Sequence, residues 1–148
     1  MTRPSDPPTA MEQRAADLGI TFTRGRTWTS NSHLALEAAE FAAEHGDPIA
    51  FHRAMFRAYF TDLEDIGDID VVVRVGEGAG LSGPDLRAAL AEGRYRAAVD
   101  EGIAWAQQVG VQAVPTFVLG GKFGIVGAQE GAVFVEVLQT RLGATPKG

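Results

Sequence analysis

Few side chains in this sequence can do chemistry, and their spacing argues against most uses. The histidines are His33, His45 and His52. No two stand at the i, i+4 spacing that lets one helix offer two imidazoles to a metal, and His-Glu-x-x-His does not occur. The carboxylates Asp62, Glu64, Asp65, Asp68 and Asp70 are denser. A calcium loop needs acids and a glycine in fixed register, closed by a glutamate, and Asp62 begins no such register. They read as a solvated loop. Gly76, Gly78 and Gly80 match neither a dinucleotide fingerprint nor a P-loop. No Gly-x-Ser-x-Gly occurs, and Ser30, Ser32 and Ser82 read as helix caps. Cysteine is absent, which removes disulfides, thiol catalysis and thiolate metal sites together. The residues therefore point to no catalytic group, no metal and no cofactor.

One backbone feature stands out. Pro115 follows Val114 at the head of a strand-like run, just after a helical pattern ends. It is either a plain strand-entry proline or the site of a cis bond that presents the backbone of residue 114 to a ligand. Cis occurs at only about 5% of X-Pro bonds in folded proteins, which by itself favours the plain reading.

The elements that position these residues come from composition and periodicity. The 148 residues suffice for one domain with an adequate core, and 45% are apolar. The net charge of -6 and pI near 5.0 argue against a nucleic-acid surface. No apolar run approaches the ~20 residues that span a bilayer. The opening MTRPSDPPTA has no apolar core of a secretion signal, so a cytoplasmic protein is expected.

A loose, proline-rich lead is expected up to Thr9, then a short helix over Ala10 to Leu18. Ile20 to Thr29 reads as irregular, anchored by Phe22 and Trp28. A helix from His33 to Glu44 follows, capped by Ser30 or Asn31, with Leu34, Ala38 and Phe41 on one face. Asp47-Pro48 starts the next helix, with Phe51, Met55 and Tyr59 facing inward. Ile69 to Val75 is ambiguous, and its valines narrowly favour a strand. Ser82 with Asp85 suggests a capping box, with Leu86 and Leu90 inward. A longer helix over Arg94 to Val109 stops at Gly110. Thr116 to Leu119 and Phe123 to Val126 form a hairpin about Gly120-Gly121. A last helix runs over Glu130 to Leu142, with a tail from Thr145.

The run GVQAVPTFVLGGKFGIVGAQ, residues 110–129, resembles the C-terminal half of DsbA-like thioredoxin-fold proteins. The likeness is to the FrnE-like branch, which includes relatives described as 2-hydroxychromene-2-carboxylate isomerases. Gly110, Val114-Pro115, Gly121 and Gly127-Ala128-Gln129 carry it. Met55 to Phe60 with Asp65 to Asp68 resembles the family's helical insertion. Asn31-Ser32-His33-Leu34-Ala35 resembles, shifted in detail, the stretch that opens a helix there. The likeness covers residues 11–142.

The resemblance implies a mostly helical α/β chain: a truncated DsbA-like thioredoxin fold with a helical insertion and a C-terminal β-hairpin plus helix. It divides the chain into a tail at 1–10, the helical region at 11–109, the C-terminal half of the fold at 110–142 and a tail at 143–148. It makes Ile69 to Val75 helical, against the local reading. In the family the reactive Cys-x-x-Cys follows the first strand, and the unit that carries it is missing here, so a redox-inactive chain is expected. In the family the proline matching Pro115 is cis, and the residue before it pairs with an extended substrate. Val114, Pro115 and Thr116 are thus the expected substrate-binding residues, for an extended peptide or a glutathione-like ligand. Two other readings are a non-catalytic peptide-binding or dimerising module, and a glutathione-dependent isomerase with a nucleophile near Ser30 or Ser32. The missing strands would leave a hairpin edge unpaired, and a homodimer or a separate polypeptide is expected to complete the sheet.

Overall fold

A computed structural model of the chain describes residues 7–143. The expectations for positions 1–6 and 144–148 lie outside the described residues. In chain order the elements are α1 (Ala10–Asp17), α2 (His33–His45), α3 (Pro48–Phe60), α4 (Ile69–Gly78), α5 (Gly83–Ala91), α6 (Arg96–Gln108), β1 (Thr116–Leu119), β2 (Phe123–Val126) and α7 (Gly131–Leu142). The architecture is mostly helical with one small C-terminal hairpin. The chain divides into two compact units, Met1–Glu101 and Gly102–Gly148, with the division inside α6.

The first unit has a true core. Alanine-rich α2 buries Ala35, Ala38 and Ala42 beside Phe41, so neighbouring helices can approach closely. Phe51 from α3, Val72 from α4 and Leu86 and Leu90 from α5 fill the centre. Asp47 caps α3, its carboxylate accepting from Ile49 N–H at 2.9 Å and Ala50 N–H at 3.1 Å. α4 is a helix, as the family likeness implied, and not the strand its valines favoured. Asp68 starts it by accepting the Asp70 N–H at 2.7 Å, and the pattern of Val72, Val73 and Val75 buries one helical face. Gly76 lets α4 and α5 close up, since a Cβ there would lie 2.5 Å from Leu86 Cδ2.

Two expected caps differ. Ser32 is the N-cap of α2, and it is Asn31 Oδ1 that accepts the His33 N–H, at 3.1 Å. Ser82 begins α5 without a side-chain cap bond, so the box with Asp85 does not form. A capping box does close α1, between Thr9 and Glu12. The Glu12 carboxylate also takes Arg24 Nε at 2.6 Å, and that bond first, then those from Thr9, holds its pKa down at about 2.

The irregular segment before α2 is fixed by specific bonds. Thr23 N–H donates to Phe60 O at 2.9 Å, the Thr23 hydroxyl to Thr61 O at 2.5 Å, and the Thr61 hydroxyl to Thr21 O at 2.7 Å. Phe22 packs on Phe60 with ring centroids 4.8 Å apart, as an anchor should. Trp28 is not a buried anchor. It is 42% exposed and stands beside Arg26, whose guanidinium lies 3.5 Å over Tyr59.

His33 ties α2 to α6. Its Nδ1 lies 2.9 Å from Glu37 Oε1 and its Nε2 3.0 Å from Asp100 Oδ1. A neutral imidazole can donate from only one nitrogen, so both bonds need the imidazolium. Hydrogen bonding to Asp100, then to Glu37, raises the His33 pKa. Glu37 is 1% exposed, and its Oε2 has no hydrogen-bond partner among the described residues. Arg96 Nε is the nearby cation, 3.9 Å from Glu37 Oε1.

In the second unit β1 and β2 pair antiparallel, from Thr116 opposite Val126 to Leu119 opposite Phe123. Gly120 and Gly121 both have positive φ, the sign a primed hairpin turn requires. α7 covers one face of the hairpin, with Phe117 edge-on to Phe134 at 4.8 Å. The opposite face carries Thr116, Val118, Gly124 and Val126.

Two outcomes are expected. Leu86→Ala should cost about 3 kcal/mol in a denaturant titration, because it hollows the centre of the helical unit. The His33 clamp should stabilise fully below its unfolded pKa of about 6.5 and lose that contribution as pH rises through its higher folded value. Unfolding free energies at pH 6 and pH 9 should thus differ more for the native chain than for His33→Gln. An equal difference would refute the clamp.

Candidate peptide-docking site

The site is built by the second unit alone. α6 ends at Gly110, where Gly110 N–H donates to Gln107 O at 3.1 Å and Val111 N–H to Ala106 O at 2.9 Å. These bonds turn the chain toward β1. The Val114–Pro115 bond is cis. Both flanks of the proline are pinned. The Thr116 hydroxyl donates to Ala113 O at 2.6 Å, and Pro115 O accepts the Gly127 N–H at 2.7 Å.

Val114 is left over. It is 90% exposed, and its backbone groups make no hydrogen bond to any described residue. β1 is paired on one side only. The open face of the hairpin and the 109–113 turn line a hollow of about 580 Å³, with Lys122 at its edge. Its lining is mostly valine, glycine and alanine. The lining hydroxyl, from Thr116, is already committed to Ala113. Such a place can hold an extended backbone. Lys122 is the one ionisable side chain in this lining. Of the three residues expected to bind substrate, Thr116 lines this hollow, while Val114 and Pro115 are not among its lining residues.

The other residues singled out by type have structural work. Asp62 lies 3.6 Å from Arg57, Glu64 pairs with Arg74, and Asp70 pairs with Arg87 at 2.6 Å. Asp65 accepts the Ser30 hydroxyl and, at 2.9 Å, the Gly67 N–H. These bonds hold its carboxyl below the usual carboxylate range. Ser30 Oγ in turn accepts the Ile66 N–H at 3.2 Å, so Ser30 ties two loops together. His45 sits at the C-terminus of α2, its ring stacked 4.2 Å from that of Phe41. Trp105 is exposed. No helix among the described residues is long and apolar enough to cross a membrane.

Sequence reading passed over the His33 clamp. One signal was available: Glu37 sits three residues from Leu34 and four from Phe41, on the apolar stripe of α2. Its partner Asp100 is 67 residues from His33, beyond the reach of local pattern.

Comparison with known proteins gives the same architecture a lineage. Over 88 residues the chain is 32% identical to the uncharacterized protein YwbO of Bacillus subtilis (strain 168), covering 59% of this chain and 44% of that protein. The crystal structure of the probable DsbA oxidoreductase SCO1869 from Streptomyces coelicolor matches with a TM-score of 0.80 at 30% identity, over 93% of this chain and 60% of that one. This chain therefore spans about half the length of the relatives it matches. Residues 8–139 match the DSBA-like thioredoxin domain, and the chain belongs to that family.

Proposed function

We propose that this chain is a redox-silent member of its family that holds an extended polypeptide at Val114–Thr116. The observation that carries the reading is the pairing of a cysteine-free sequence with an exposed Val114 whose backbone makes no hydrogen bond to any described residue. Thiol–disulfide exchange needs a thiolate to attack and a thiol to leave, and these 148 residues supply neither. Docking by strand addition needs only backbone donors and acceptors at an open sheet edge, plus room for alternate side chains. The Gly127-Ala128-Gln129 ending supports placing the chain in the FrnE-like branch. A second copy of the chain is the partner proposed to complete the sheet, since an exposed apolar strand edge is costly to leave open.

Insulin reduction by the chain should not exceed the dithiothreitol background. A labelled peptide of alternating valine and threonine should bind, and Val114→Pro should weaken it about tenfold or more by removing the docking N–H. Val114→Ala should bind nearly as the native chain does. Equal binding by the proline variant would overturn docking at this residue. Sedimentation equilibrium should give twice the 15.7 kDa chain mass. A monomer at every concentration would exclude the second copy.

A further inference from the structure

A second hollow lies in the helical unit, far in sequence from the docking loop. It is a groove of about 830 Å³ between residues 18–22 and α3. Leu18, Ile20 and Phe22 form one wall, and Phe56 and Phe60 the other. Phe56 is 61% exposed, and Leu18 and Ile20 are exposed as well. Contiguous apolar surface of this kind on a small unit marks a binding site more often than chance. Arg53 and Arg57 line the same groove, four residues apart and so on one side of α3.

We propose that this groove binds a carboxylate carrying an unbranched apolar tail. Three features select that occupant. The volume falls in the range of small-molecule sites, roughly 300–1,000 Å³. The polar end is cationic within a chain of net charge -6. Arg53 has no ion-pair partner among the described residues, and Arg57 reaches Asp62 only at 3.6 Å. An arginine fork is matched to a carboxylate, and two on one rim hold it firmly. Three wall carbonyls are already engaged. Thr21 O accepts the Thr61 hydroxyl, Thr61 O the Thr23 hydroxyl, and Phe60 O the Thr23 N–H. An alkyl tail needs only the rings and aliphatic side chains that line the groove. The same bonds lock the two walls together, so the groove is formed before its ligand arrives.

Calorimetric titration of the full chain with sodium decanoate, with amide shift mapping, tests this. Saturable one-to-one binding is expected, with shifts at Leu18 to Phe22 and Arg53 to Phe60. 1-Decanol should bind about tenfold more weakly for want of the charge. The double variant Arg53→Gln, Arg57→Gln should lose decanoate affinity by a similar factor, and Phe56→Ala should lower it too. Absence of saturation, shifts confined to residues 109–126, or equal affinity for decanoate and decanol would each overturn the proposal. So would a fall in solution mass on Phe56→Ala, which would make the groove an interface between copies. The decanol comparison uses the native chain and stands even if a variant misfolds.

Discussion

A two-stranded sheet leaves each strand with one row of backbone donors and acceptors that no neighbour within the sheet can meet. That constraint governs the second unit of this protein. β1 pairs with β2, α7 closes one face, and nothing among the described residues of that unit lies along the other edge of β1. Ile125 is the one buried apolar residue that the described part of this unit contains. Hairpins without a third strand or a full helical cover are marginal in water. The unit therefore has surface to give to a further strand, and its most exposed large residue, Val114, stands where that strand would begin.

The helical unit stands under no such constraint. α2, α3, α4 and α5 bury Phe41, Phe51, Val72, Leu86 and Leu90 in one continuous cluster. Its polar interior is confined to Glu37 among the described residues, and that charge is met by His33 on the same helix. The consequence is a division of labour within one small chain. The buried core resides in the part whose pattern is amphipathic helix, and the open strand edge resides in the other.

Which features could be read from the sequence follows from how local their causes are. The hairpin was legible because Gly120-Gly121 between two short apolar runs has few other solutions. The start of α3 was legible because Asp47-Pro48 joins a cap to a first-turn proline. α4 was not, since Val71, Val72 and Val73 satisfy a strand as well as a helix, and burial against Leu86 through Gly76 decides the matter. Ser82 looked like a capping residue by type, yet its hydroxyl makes no cap bond. Trp28 looked like an anchor by size, but its ring serves Arg26 at the surface. The cis bond was legible only through family likeness, because nothing in the local chemistry of Val114-Pro115 separates a cis turn from a strand entry.

The geometry of the loop before β1 does not depend on a thiol. Cys-x-x-Cys chemistry depends on two particular side chains, and these 148 residues contain no cysteine. The backbone on either side of Val114 is held by bonds from neighbouring residues. Thr116 grips Ala113, Gly127 grips Pro115, and the end of α6 sets the approach. None of these atoms is sulfur. A backbone site of this kind is also indifferent to the side chains of its ligand, because strand pairing reads N–H and C=O groups common to every peptide. The geometry of this loop is thus set by backbone and hydroxyl hydrogen bonds alone.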